Sequence, residues 1–237
     1  MSTDVDRAAG TAALTGARLV VGLLGVLAVG VVAVPMALLV RGGYGPLLQA
    51  DRDVSAWAEQ AVSGSTALLR VAQAVTLLGD PVGITVVAGV LALVLERRGH
   101  RRLALYVVAA RVGAIVLSQG LKHLVDRARP VFEAPVAEAL GPSFPSGHAL
   151  GSAVFWTTCA VLVVPRVGRP LLVLVGAVLV AGLVAASRVL LGVHYLSDVT
   201  GGMLLGLGWA AVCTAVFVLE RAERGEPVDV EHEGIGR

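Results

Sequence analysis

The chain has 237 residues, of which 56% are hydrophobic and 15% charged, with a mean hydropathy of +0.82 and a net charge of +2. Soluble domains carry about a quarter charged residues, so this composition excludes a disordered chain, an ordinary basic nucleic-acid-binding domain and most water-soluble enzymes. Long uncharged stretches alternate with short charged clusters, the pattern of a polytopic all-α membrane protein. The two cysteines, Cys159 and Cys213, fall inside apolar stretches and read as small buried hydrophobes rather than a disulfide or metal site.

A bilayer core of about 30 Å takes roughly 20 apolar residues of helix, and six segments of this chain meet that length. Residues 1–17 form an N-terminal tail expected to be disordered. Leu19–Val40 is the first span, too long for a signal peptide and without a cleavage site. In the polar stretch that follows, Val54, Trp57, Ala58 and Ala61 recur at helical spacing, which predicts a short helix on the membrane surface. Val71–Leu95 is the second span, with Gly79-Asp80-Pro81 as a kink or its true start. Leu103–Leu121, Ala149–Val164, Leu171–Ala186 and Val199–Leu219 are the third to sixth. The membrane domain thus covers 18–219, and a charged tail, 220–237, is expected to be disordered.

Lys and Arg collect on the cytoplasmic side. With six spans, the two tails and the loops at 96–102 and 165–170 share one side and hold eleven arginines, among them Arg97, Arg98, Arg101 and Arg102. That side is assigned to the cytoplasm. The other side carries Arg41 and Arg52, then Lys122, Arg127, Arg129 and Arg188, and faces outward.

Three polar clusters fall at the external ends of spans three to six. Lys122-His-Leu-Val-Asp-Arg-Ala-Arg129-Pro130 closes the third span and Pro145-Ser146-Gly147-His148 opens the fourth. Ser187-Arg188-Val-Leu-Leu-Gly-Val-His194-Tyr-Leu-Ser-Asp198 bridges the fifth and sixth. Each has an ordinary structural explanation: a snorkelling lysine, a helix cap, a pair on one helix face. Their convergence on one side at one depth does not. Lys122 is also the only lysine of the chain, among 19 basic residues.

The set suits phosphoryl transfer without a metal. Lys122, Arg129 and Arg188 can neutralise a phosphate monoester, arginine by its planar fork and lysine as a point charge. Ser146 and the backbone N–H groups of Gly147 and His148 sit at a helix start, where amides lack intrahelical partners and favour an anion. Of the two histidines, His194 has a carboxylate four residues on. Asp198 can hold one ring nitrogen and leave the other free to attack phosphorus, while His148 serves as general acid. Metal-binding spacings are absent and no cofactor is expected.

The pattern Lys-x6-Arg-Pro, Pro-Ser-Gly-His, Ser-Arg-x5-His-x3-Asp resembles the three-part signature of the type-2 phosphatidic acid phosphatase superfamily. Lys122, Arg129, Pro130, Pro145, Ser146, Gly147, His148, Ser187, Arg188, His194 and Asp198 match it position by position. The resemblance implies a phosphohistidine intermediate at His194, oriented by Asp198, with His148 as acid. It also implies Lys122, Arg129, Ser146, Gly147 and Arg188 around the phosphate, and a lipid phosphate drawn from a bacterial plasma membrane. Undecaprenyl diphosphate is the lead substrate, ahead of phosphatidic acid and phosphatidylglycerol phosphate. A lipid-linked phosphotransferase and a non-catalytic lipid-phosphate transporter or binding protein are the rivals. Soluble vanadium haloperoxidases share the site, but six apolar spans argue against that branch.

Other residues carry less. Arg111 lies mid-span, roughly 16 Å along a helix from Lys122, too far for the same phosphate. It is expected to meet a structural partner such as Asp80 or a water-filled pocket. Asp126 and Arg127 occupy positions the signature leaves free, Asp126 as the balance for a neighbouring arginine. Gly147-x3-Gly151 and Gly202-x3-Gly206 allow close helix approach. The short loop from Val131 to Ser143 leaves lipid selection to a groove between helices.

Overall fold

The computed structural model describes residues 27, 29–31, 34–133 and 135–223. The N-terminal tail, the start of the Leu19–Val40 span and the chain beyond residue 223 lie outside them. All regular elements among the described residues are helical: α1 (Val29–Arg41), α2 (Gly45–Ser63), α3 (Thr66–Thr76), α4 (Pro81–Arg97), α5 (Arg101–Val125), α6 (Gly147–Val167), α7 (Pro170–Leu190) and α8 (Leu196–Glu223), with a 3-10 turn at Leu77–Gly79.

Short polar residues start several of these helices. The Ser65 hydroxyl accepts from Leu68 N–H at 3.2 Å, the Asp80 carboxylate from Gly83 N–H at 2.6 Å, and the Ser146 hydroxyl from Ala149 N–H at 3.4 Å. Each satisfies an amide that a helix start leaves without a partner. Asp80 therefore settles the Gly79-Asp80-Pro81 break: it caps a new helix, and the turn before it wedges Gly79 against Ser152 and Val184.

Among the described residues, five segments are long and apolar enough to cross a membrane: Thr66–Arg97 taken across its break, Arg101–Val125, Gly147–Pro165, Pro170–Leu190 and Leu196–Phe217. They become six if α1 and α2, bent by 82°, count as one span. Only 22–50% of each segment's most apolar window is buried within the protein. Val82, Val86, Leu105, Leu171 and Leu183 are each more than half exposed, a surface suited to lipid rather than water. Helix ends run beyond the sequence estimates. The second span begins at Thr66 rather than Val71, and α8 continues to Glu223, into the expected tail.

Helix α6 forms the centre, packed against α4, α5, α7 and α8. Its Ala149, Leu150, Ala153 and Val154 are at most 1% exposed. On α8, a Cβ at Gly206 would lie 2.6 Å from the Leu150 carbonyl oxygen, and one at Gly202 2.8 Å from that of Ser146. The Gly202-x3-Gly206 pair is thus a close backbone contact. It fixes the start of α8 beside the start of α6, where Ser146 N–H donates to the Asp198 carbonyl at 3.0 Å.

Candidate active site

The antiparallel succession of α5 to α8 brings four helix ends together. A cavity of about 190 Å³ opens among them. Lys122 reaches it from the last turn of α5, Gly147 and His148 from the first turn of α6, and Arg188 from the last turn of α7. Arg129 and His194 come from the loops. Six of the eight residues singled out from sequence therefore line one cavity. Asp198 lies behind His194, fully buried, and Ser146 caps α6 beneath the site rather than lining it.

His194 is positioned from several directions. Gly192 turns the α7–α8 loop with φ of 68°, and a side chain there would collide with the Phe132 ring at 2.6 Å. Only glycine takes this conformation with that neighbour. The His194 ring is 3% exposed. Its Nε2 lies 3.2 Å from Arg129 Nη1, and because arginine only donates, Nε2 presents its lone pair. The ring proton then sits on Nδ1, which faces Asp198 Oδ2 at 3.6 Å, a contact longer than a formed hydrogen bond. Burial pushes the His194 pKa down to about 4; Asp198 opposes the shift, while Arg129 and Arg188 add to it. The imidazole is therefore neutral at pH 7, as a nucleophile must be.

The cations differ in how they are held. Lys122 has no hydrogen-bond or ion-pair partner among the described residues, so its ammonium is available to the cavity. Arg188 donates from Nη1 to Thr76 Oγ1 at 2.8 Å, while its buried Nε has no partner. Arg129 is engaged on every nitrogen. It donates to the carbonyls of Gly141 (2.9 Å), Val193 (2.7 Å), Leu140 (3.1 Å) and Pro142 (3.2 Å). It thereby clamps the 131–143 loop to the His194 loop while keeping one face in the cavity.

Sequence reasoning missed what lies behind Asp198. Arg127 donates from Nη1 to Asp198 Oδ1 and from Nη2 to Asp51 Oδ2, both at 2.7 Å. Asp51 also accepts from Ser197 Oγ at 2.6 Å and Ser197 N–H at 2.9 Å. Tyr195 N–H donates to Asp198 Oδ2 at 2.8 Å, and the Arg127 guanidinium stacks 4.2 Å above the Tyr195 ring. Burial alone would pull the Arg127 pKa down, but Asp198 and Asp51 raise it above its ordinary value. Asp126, expected to balance an arginine, instead ends α5 in a left-handed conformation and is exposed. The surface helix thus reaches into the site's support. The available signal was Asp51 on the same helical face as Ala58, the apolar side of an amphipathic segment.

Arg111 meets structural partners, as expected, but not Asp80. Asp80 is taken up as a helix cap, and Arg111 donates instead to Thr85 Oγ1 (2.9 and 2.7 Å) and the Pro81 carbonyl (2.8 Å) on α4. It lines the same cavity as the histidines.

The model of the PAP2 superfamily matches residues 102–221, half of the chain, a stretch that contains all three polar clusters. The chain belongs to the PAP2 superfamily. Phosphatidylglycerophosphatase B of Bacillus subtilis is 38% identical over 96 residues, covering 39% of this chain and 47% of that protein. Decaprenylphosphoryl-5-phosphoribose phosphatase of Mycobacterium tuberculosis is 39% identical over 139 residues, covering 57% and 72%. This chain therefore spans about half the length of the first relative and over two thirds of the second. The crystal structure of a transmembrane PAP2-type phosphatidylglycerolphosphate phosphatase from Bacillus subtilis superposes with a TM-score of 0.66 at 26% identity, over 82% of this chain and 94% of that one. As a PAP2 protein, this chain shares with that structure the all-helical membrane architecture described above.

Proposed function

We propose that this PAP2 protein is a lipid phosphatase that removes a terminal phosphate through a phosphohistidine intermediate. The observation that carries the reading is one cavity holding a neutral buried imidazole, a second histidine and four cations, Lys122, Arg129 and Arg188 beside the histidines and Arg111 deeper along α5. His194 Nε2 attacks phosphorus, and the bond from phosphorus to the lipid oxygen breaks. His148, protonated once the phosphate dianion enters the cavity beside it, delivers that proton to the oxygen as it leaves. Water, deprotonated by His148, then attacks the phosphohistidine; the P–N bond breaks and inorganic phosphate departs. Asp198, facing the Nδ1 proton at 3.6 Å, closes on it as charge builds on the ring and stabilises that charge. Lys122, Arg188 with its unpartnered Nε, Arg129 and the Gly147 and His148 amides at the start of α6 stabilise the phosphoryl oxygens, with Ser146 fixing that helix start.

Among substrates, undecaprenyl diphosphate remains a candidate. The names of the relatives favour phosphatidylglycerol phosphate and prenyl-linked sugar phosphates in this role. The excess of arginine in the loops opposite the cavity supports a site on the outer face of a bacterial plasma membrane. In the test, purified protein in detergent with EDTA is given lipid phosphates and phosphate release is followed. Release by the wild type and its loss in His194→Ala are expected. Full activity in that variant would overturn the nucleophile assignment, and lipid capture without phosphate release would favour a binding protein.

A further inference from the structure

Helix α5 presents a stripe of residues to the cavity: Arg111, Ala114, Ser118 and Lys122. They follow helical spacing, so Ser118 lies about 6 Å and Arg111 about 16 Å below Lys122 along the axis. Arg111 is 8% exposed and has no carboxylate partner among the described residues. Its Nε and Nη2 are fixed by neutral acceptors on α4, whereas Nη1 has no hydrogen-bond partner among the described residues. Nη1 lies against α6 at Gly151, where a Cβ would come within 3.2 Å of it. Ser118 Oγ is buried and has no hydrogen-bond partner. A guanidinium without a counter-ion at mid-span is costly, and two neutral acceptors leave its charge uncompensated. The same cavity is open on its lipid side, where Ile115 and Gln119 line it and are exposed.

We infer that Arg111, with Ser118, forms a second anion subsite for the inner phosphate of lipids that carry two. This rests on the phosphatase reading of the cavity. A terminal phosphate at His194 leaves the rest of the headgroup to run toward the bilayer, where the tail must emerge. An inner phosphate then descends along α5 toward the uncompensated guanidinium. The separation of about 16 Å is a rise between backbone positions; the long Arg111 and Lys122 side chains line one cavity of about 190 Å³, so a single headgroup entering it meets both. Both a diphosphate, with adjacent phosphates, and a phosphodiester-linked headgroup, with a spacer between them, present this chemistry. A phosphate monoester such as phosphatidic acid does not.

The experiment compares matched pairs in detergent: phosphatidylglycerol phosphate against phosphatidic acid, and a prenyl diphosphate against the prenyl monophosphate, for wild type, Arg111→Gln and Arg111→Lys. The expected loss of kcat/KM in Arg111→Gln is about ten- to a hundredfold greater for the two-phosphate member than for its partner. That is the worth of one or two charge-assisted hydrogen bonds. Arg111→Lys, which keeps the charge, is expected to retain more of the preference. The pair that responds identifies the source, diphosphate or phosphodiester. Equal losses on both members would overturn the subsite and leave Arg111 as a pin between α4 and α5, as would no loss on either. A binding arm stands apart from turnover: methylenediphosphonate should raise the melting temperature of wild type more than methylphosphonate does, and this difference should vanish in Arg111→Gln. If no lipid phosphate is turned over by wild type, the phosphatase reading falls while the diphosphonate arm still decides the subsite.

Discussion

His194 is kept neutral by burial among cations, and its orientation depends on a chain of charges that ends on another helix. Three predictions belong at this scale. Because its folded-state pKa lies near 4 rather than the ordinary 6.5, the unfolded chain binds a proton between those values that the folded one refuses. Stability should therefore fall as pH drops from about 6.5 to about 4, and 15N-histidine NMR should show this ring neutral until near pH 4. Removing Arg127 takes a cation from Asp198 and leaves that carboxylate to the imidazole. In Arg127→Gln the His194 titration should move upward and kcat should fall at least about tenfold, an effect that lost packing alone would not give. Asp51→Ala leaves Arg127 short of one buried partner, a change worth about 3–5 kcal/mol for such pairs, readable as a lowered melting temperature.

At the scale of elements, the site is a property of helix ends. Each of α5, α6, α7 and α8 delivers its functional group within a turn or so of a terminus, so small shifts along a helix axis move cations relative to the histidines. The contact between α6 and α8 sets the most sensitive of these registers. Gly206→Ala places a methyl group 2.6 Å from the Leu150 carbonyl oxygen and 2.7 Å from the Ala153 methyl group. Overpacking of this kind costs about 1–3 kcal/mol. The variant should melt earlier and lose activity on every substrate together, in contrast to the substrate-dependent loss expected at Arg111. Helix α2 matters for the same reason: it lies across the bundle, with Trp57 60% exposed and Asp51 buried, and anchors the network that holds Asp198.

For the whole molecule, the prediction concerns orientation in the membrane. The arginine-rich turns at 96–102 and the loop at 131–143 lie at opposite ends of the bundle. In a background with Cys159 and Cys213 replaced, Leu140→Cys, at a position 94% exposed, should react with a membrane-impermeant maleimide in intact cells. Arg98→Cys should react only after permeabilisation. The reverse pattern would put the site on the cytoplasmic side.

The sequence alone determined the membrane class and singled out most of the residues that line the candidate site. A run of about 20 uncharged apolar residues has few folded alternatives to a membrane helix, and charged residues at the ends of such runs are conspicuous. Lys122, Arg129, His148, Arg188, His194 and Asp198 were therefore legible as a set, through their convergence on one side at one depth, and the close approach at Gly202 and Gly206 was legible from their spacing. Tertiary structure decided what is joined to what. Asp51 lies 147 positions before Asp198, and no periodicity links them; only the fold of α2 across α7 and α8 makes Arg127 a bridge between the two. The same holds for Arg111. Its spacing from Lys122 ruled it out for the reacting phosphate, but only packing reveals that Asp80 is occupied elsewhere and that Arg111 lines the shared cavity. Local sequence sets helix identity and helix ends, because hydrogen bonding and lipid exposure act within a turn. Charge partners are set by contacts between distant segments, which burial makes strong and sequence order does not encode.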